Sequence, residues 1–241
     1  MARAISTALK KRQPKGERGL ESAALLEAAL GEMERSGVEN FSLRGAARVI
    51  GCDPAALIYH FGSREGLERA IADRLHSGIV PPLRSRPWRD RLLAMARQYR
   101  AVAQTYPRTF LLLMRYWTTG PQDLRLCDET FAALADCGIP HSLIPAAECG
   151  FYVALLGLCA GEAGGLTDRP GREVLLEIRT TAGLTEMPRL LPVIRTLDAD
   201  IVFETQMKVM LDGLEALAGR AKVNKRSADM PKTAAAARRG K

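Results

Sequence analysis

Three ring side chains, Tyr59, His60 and Phe61, stand in a row before Gly62 and Ser63, in a chain of 241 residues of which only 5% are aromatic. Tyrosine and histidine each carry a hydrogen-bond donor on a flat ring with few rotatable bonds, and neither brings a strongly hydrated charge that must first lose its water. Donors of that kind suit phosphate oxygens. Ser63 and Arg64 follow, where the unpaired N–H groups of a helix start and the positive end of its dipole offer a second anion site. Other chemistries find no footing. His60, His76 and His141 lie far apart, without H-x-x-x-H or H-E-x-x-H spacing, and Cys52, Cys127, Cys137, Cys149 and Cys159 form no C-x-x-C pair. The spacing gives no metal motif and no cofactor box, and the thiols read as buried and reduced. With no Ser-His-Asp ordering, no phosphate-cradling glycine loop and no carboxylates clustered with histidine, no enzyme activity is read from the chain.

The elements that position the ring side chains are helices. Apolar residues recur at helical rather than alternating spacing, and no hairpin signal separates them, so the fold class is all-α. Leu26, Leu30 and Met33 form one stripe of a helix from Glu21 to about Arg35, closed by Gly37. Ser42 caps a two-turn helix whose Leu43, Ala46, Ala47 and Ile50 share a face until Gly51. Asp53 and Pro54 read as N-cap and first position of the next helix, Gly62 ends it, and Ser63 caps a fourth that buries Leu67, Ala70, Ile71 and Leu75. A two-turn helix, a glycine turn and a second short helix make the pattern of a helix-turn-helix, whose second helix enters a DNA major groove. Such a helix can be short, because only its first turns meet base edges. Its far end, with Tyr59 and His60, leaves the groove beside the phosphates, while Leu57 and Phe61 face inward.

The elements "SLRGAARVIG", "AALIYHF" and "SREGL", with Gly37 and Phe41 before them, run in unbroken order over residues 22–75, roughly a quarter of the chain. This stretch resembles the DNA-binding domain of the tetracycline-repressor (TetR) family of bacterial transcriptional regulators. The resemblance implies that Arg44, Pro54, Ala55, Ala56, Tyr59, His60 and Arg64 face DNA; Ser42, Ile58 and Ser63 complete the expected interface. The chain departs from the family at Ile58, where an aromatic, often tyrosine, is usual, so a donor gives way to a side chain that can meet a base methyl. Pro54 and two alanines offer few donors, which leaves direct readout to Arg44, apolar contacts and DNA shape.

The net charge of +8 sits at the ends. Residues 1–18 carry six basic groups against one acidic, a net of +5, and residues 219–241 carry eight against one, a net of +7, leaving the body near −4. Within 21–75, six basic groups face nine acidic ones, a net of −3, so attraction to DNA must come from local placement and from the basic arm. Charge and periodicity divide the chain into a disordered basic arm (1–19), a helix-turn-helix domain (20–76), a larger helical domain (77–218), which the resemblance implies is effector-binding and dimerising, and a disordered basic tail (219–241). Phe151–Gly161, the longest charge-free apolar stretch, is shorter than the roughly 20 residues of a membrane span, and the basic N-terminus has no apolar region after it. A cytoplasmic protein without a membrane partner is expected.

After the proline-marked connection GIVPPLRSRP, helices are expected over Trp88–Tyr106, Pro107–Trp117, Pro121–Cys137, Pro140–Ala163, Gly171–Leu184 and Asp198–Ala218. "ECGFYVALLGLCAGEAG" is apolar on two faces, as is the last helix, with Met207, Met210, Leu211, Leu214 and Leu217 on one side and Val202, Val209 and Gly213 on the other. Helices buried on both sides suit a homodimer formed by a four-helix interface, matched to a pseudo-palindromic operator in double-stranded DNA. The resemblance further implies an effector pocket here. Met95, Tyr99, Phe110, Met114, Trp117 and Phe151 are its expected lining, with Arg115, Gln104 or His141 as polar partners and an apolar or aromatic small molecule as ligand. The function so read is a repressor released from DNA by a small-molecule effector; the alternative is a dimeric DNA-binding protein without one.

Overall fold

The computed structural model of the protein describes residues 15–229, with side chains over residues 22–221. Every regular element among them is helical: α1 (Lys15–Ser36), α2 (Leu43–Ile50), α3 (Pro54–Phe61), α4 (Arg64–His76), α5 (Trp88–Thr105), a 3₁₀ turn (Phe110–Met114), α6 (Pro121–Cys137), α7 (Ile144–Ala163), α8 (Arg172–Thr180), α9 (Glu186–Ile194) and α10 (Ala199–Asp229). Residues 1–14 of the expected basic arm and 230–241 of the tail lie outside the described residues. α1 starts at Lys15 and α10 runs on to Asp229, so the boundaries drawn at residues 20 and 218 fall inside helices. The helix formers of "EALAGRAKVNKRSAD" meet no proline before Pro231.

The helices of the N-terminal unit follow their apolar stripes. Leu30 and Met33 of α1, Ala46 and Ala47 of α2, Leu57 of α3 and Leu67, Ile71 and Leu75 of α4 close over Phe41 and Val38. Each fully buried Leu or Ile contributes about 2 kcal/mol from the area taken out of water. This core is continuous with that of the C-terminal part, where α5, α6 and α7 pack on one another and Phe203, Met207, Leu211, Leu214 and Ala218 make one stripe of α10. The two units therefore share one core.

Three expectations are corrected. Phe110–Met114 is a short 3₁₀ turn and not a helix over Pro107–Trp117: at three residues per turn Phe110 and Leu113 share a buried side, joined by buried Leu112, while Leu111 and Met114 share the side that faces out. Pro140 precedes its helix; its carbonyl accepts from the N–H groups of Leu143 and Ile144 in a turn, and α7 begins at Ile144. Beyond α8, which ends at Thr180, lies α9, unforeseen because Pro188 and Pro192 fall within it. Pro188 sits in the first turn, where its missing N–H costs nothing, and Pro192 removes one internal hydrogen bond.

α7 also revises the reading of its apolar stretch. Its 20 residues, with mean hydropathy 1.5, are long and apolar enough to cross a membrane by length and composition. Here it packs against α5, α6 and the 3₁₀ turn, burying Phe151, Leu155, Leu156 and Cys159. Not all thiols are buried as expected: Cys149 is exposed and Cys52 and Cys127 are half-buried.

Candidate nucleic-acid interface and the cavity behind it

Local capping builds the α2–α3–α4 unit. The Ser42 hydroxyl accepts from the Gly45 N–H (3.0 Å), the Asp53 carboxylate from the Ala55 N–H (2.7 Å) and the Ser63 hydroxyl from the Gly66 N–H (3.0 Å), so each helix start satisfies one of its orphan donors. Gly51, at φ 76°, turns the chain in the left-handed region after α2, and three residues later Pro54 opens α3. A Cβ on Gly66 would lie 2.0 Å from the Phe61 carbonyl oxygen, so only glycine lets α4 pass this close to the end of α3.

This geometry sorts the residues of α3. Leu57 is completely buried, whereas Pro54, Ala55, Ile58 and Tyr59 face solvent, Tyr59 being 76% exposed. Ala56, His60 and Phe61 are half-buried, and Tyr59 packs edge-on against His60 with ring centroids 5.3 Å apart. The phenol is thus held by a neighbouring ring while its hydroxyl stays in solvent. Ser42 and Arg44 are exposed at the start of α2.

The arginines divide by what holds them. Arg35 pairs with Glu32, Arg69 with Glu65 and Arg74 with Glu27. Arg64, expected to face DNA, is engaged inside the unit: it pairs with Glu68 (2.7 Å), donates to the Val38 carbonyl (3.0 Å) and lies over the Phe41 ring. Arg44 and Arg48 remain, both exposed and in no ion pair among the described residues. One helical turn apart on α2, they share a face beside α3. Arg48 was missed as a site residue, although its i, i+4 spacing from Arg44 is visible in the sequence.

α4 joins this unit to the rest of the molecule through two polar centres. Glu68, 3% exposed, takes hydrogen bonds from Arg64, from Arg115 (3.0 Å) and from the Tyr116 hydroxyl (2.6 Å). Burial pushes its pKa up, and the three donors outweigh burial and hold it below the ordinary carboxylate value; Tyr116, by burial and by Glu68, is pushed up to about 12. Arg115, expected as a pocket partner, is fixed here and also pairs with Glu39.

The second centre is at the last turn of α4. His76, 1% exposed, has Nδ1 2.9 Å from the Thr119 hydroxyl and Nε2 3.1 Å from the Tyr152 hydroxyl, with the Asp123 carboxylate at 3.7 Å. Burial lowers its pKa against the pull of Asp123 and Asp73, so the imidazole is neutral at pH 7. Asp73, one turn earlier, accepts from the Gln122 and Asp123 N–H groups at the start of α6. Gly120 makes room for it, since a Cβ there would stand 2.6 Å from the Asp73 carboxyl carbon.

Tyr152 and Asp123 also line a cavity of about 20 Å³ between α5, α6 and α7, room for a single water molecule. Of the expected pocket residues, Met95, Tyr99 and Phe151 line it. The others do not. Gln104 is exposed and donates to Glu162, Phe110 is fully buried in the core, His141 and Met114 are exposed, and Trp117 is 98% exposed. Met114 and Trp117 lie at and beyond the end of the 3₁₀ turn, which points them outward, and His141 lies in the turn before α7. The lining residues that were missed are Leu126 and Leu155 and the polar set Asp123, Cys127, Thr130, Glu148 and Tyr152. A signal for them exists, because Asp123–Leu126–Cys127–Thr130 and Glu148–Phe151–Tyr152–Leu155 each follow i, i+3, i+4, i+7 spacing, placing one carboxylate in each inward stripe.

The comparisons with known proteins agree with this architecture. The chain resembles an HTH-type transcriptional regulator of Saccharopolyspora erythraea, with 24% identity over 140 residues; the match covers 58% of this chain and spans about three-fifths (59%) of that relative's length. Among solved structures, the Streptomyces coelicolor TetR family protein ActR in complex with actinorhodin superposes with a TM-score of 0.73 at 19% identity, covering 82% of this chain and 98% of that one. BioQ with its double-stranded DNA operator gives 0.60 at 17% identity, covering 81% and 98%. Residues 81–218, more than half of the chain, match the family model described as "Tetracyclin repressor-like, C-terminal domain", and the chain belongs to that family.

Proposed function

We propose that the protein is a sequence-specific DNA-binding transcriptional regulator of the cytoplasm, acting as a homodimer on a pseudo-palindromic operator and released from it by a small molecule held between α5, α6 and α7. The observation that carries the DNA reading is the split of α3: Leu57 anchors it in the core while Pro54, Ala55, Ile58 and Tyr59 face solvent beside Arg44 and Arg48, which have no ion pair among the described residues. Residues 20–76 then act as the reading domain and 77–218 as the sensing and pairing domain. Support for pairing comes from the outer faces of α7 and α10, where Gly150, Val153, Ala154 and Gly157, and Ile201, Val209, Gly213 and Leu217, turn apolar or small side chains to solvent. Two such helices from each copy suit a four-helix interface.

The switch follows from differential affinity. A ligand that enlarges the cavity displaces Tyr152 or Asp123, hence the last turn of α4, and binds best to the dimer whose two α3 helices no longer match successive major grooves. The small volume of the cavity favours the second reading, a dimeric DNA-binding protein without an effector. Selection of bound sequences from a random DNA pool by the full chain tests the first claim: enrichment of an inverted repeat is expected, and recovery of no common sequence overturns it. Titrating small molecules against the selected DNA complex then separates the two readings.

A further inference from the structure

The cavity holds two carboxylates and no base. Asp123 is spent on the Thr119 N–H (2.9 Å), and its other oxygen faces the neutral His76. Glu148 meets the Cys127 thiol, the Asp123 charge and the phenols of Tyr99 and Tyr152, and among the described residues neither carboxylate has an arginine or lysine partner. Among the described residues the buried Glu68 and Glu32 and the nearly buried Glu162 meet guanidinium groups, Glu68 with Arg64 and Arg115, Glu162 with Arg100 and Glu32 with Arg35, while the half-buried Asp73 and Glu34 are answered by backbone N–H groups. The remaining walls include the rings of Tyr99, Tyr152 and Phe151 and the thioether of Met95, beside Leu126, Leu155 and Thr130. Ring faces and uncompensated carboxylates both attract a cation, and both repel an anion. Resting on the effector reading above, we propose that the ligand of this site is an organic cation, a protonated or quaternary amine on an aromatic or apolar body, with Asp123 and Glu148 taking its charge.

The cavity in its present size admits one water, so a ligand enters by parting α6 from α7. Glu148 and Tyr152 stand on one of these helices and Asp123 on the other. Burial and the Asp123 charge raise the Glu148 pKa, so in the empty site its carboxyl holds a proton to higher pH than usual. An arriving ammonium beside the carboxyl favours its charged form and so draws that pKa back down.

The test uses the full chain and matched probes: phenethylamine, phenethyl alcohol and phenylacetate, with their naphthyl homologues, followed by thermal unfolding and by titration calorimetry. The amines are expected to bind at least about tenfold more tightly than the alcohols, with no binding of the carboxylates, and Glu148→Gln is expected to bring amine and alcohol close to parity. Equal binding of amine and alcohol, preference for the carboxylate, failure of every probe to bind, or an amine preference untouched by both Glu148→Gln and Asp123→Asn overturns the proposal. Amines that bind with this acid dependence and leave DNA affinity unchanged sustain the charge selectivity and remove the effector reading. Release of DNA by neutral or anionic compounds alone does the reverse.

Discussion

Helix α4 carries two buried polar centres built on opposite plans. Around Glu68 every charge is answered: one carboxylate receives Arg64, Arg115 and the Tyr116 hydroxyl, and the second guanidinium nitrogen of Arg115 finds Glu39. Around His76 the imidazole is neutral, and the Asp123 and Glu148 carboxylates beside it have no cation among the described residues. A closed set of partners holds helices in place and offers nothing to a newcomer. An open one, beside a cavity, keeps an interaction in reserve. One centre closes on its own partners, and the other leaves carboxylates beside a cavity without a cation among the described residues.

The largest effect should come from breaking the closed centre. Glu68→Ala removes the shared acceptor of three donors and is expected to cost about 3 kcal/mol of unfolding free energy, read from denaturant titrations; a loss below about 1 kcal/mol would show that Arg115 and Tyr116 find other partners cheaply. Next come the cations that no carboxylate holds. Arg48→Ala is expected to lower affinity for every DNA sequence by about tenfold and to reduce the slope of log K against log salt by about 1, and Arg44→Ala, at a base-reading position, to lower affinity by a similar factor and relax the preference for the selected sequence. Arg64→Ala, by contrast, should leave that slope nearly unchanged while lowering stability, since its guanidinium is already engaged. If Arg64→Ala flattens the slope as much as Arg48→Ala does, the division of the arginines drawn above is mistaken.

Gly51→Ala places a Cβ in the left-handed region and should cost about 1 kcal/mol, measured by thermal unfolding, with DNA affinity falling in proportion to the folded fraction. The smallest effect concerns the open centre. The folded-state pKa of His76 lies below its ordinary value of 6.5, so below that pH the unfolded chain binds the extra proton first. The contribution of neutral His76 is fully present above pH 6.5 and is lost as the pH falls toward the folded-state pKa. Tm should therefore decline below pH 6.5 in the wild-type chain and decline less in His76→Gln; parallel curves would relieve His76 of this role.

The N-terminal unit was legible because its determinants are local. Ser42, Asp53, Pro54, Ser63, Gly51 and Gly62 each act within a few residues of where they stand, and the structure sets them at the caps and turns their types favour. The engagement of Arg64 was not legible, since Val38 lies 26 residues away across a packed interface. The cavity was half legible for a similar reason. Met95, Tyr99 and Phe151 follow from the habit of seeking apolar and aromatic lining, and the same habit drew in Met114 and Trp117, which the 3₁₀ turn sends outward. Asp123 and Glu148 come from different helices, and a lone carboxylate in an apolar stripe carries no sign of its counterpart until the helices are placed side by side. Proline disguised α9, because the rule that proline ends a helix overlooks the first turn, where it is welcome.

The contact at Gly66 has a mechanical consequence. With the Phe61 carbonyl where a side chain would have to be, the end of α3 and the start of α4 meet at a separation that only glycine permits. A bulkier residue at position 66 would have to push α4 away from the end of α3, and with it change the angle at which the exposed face of α3 is held.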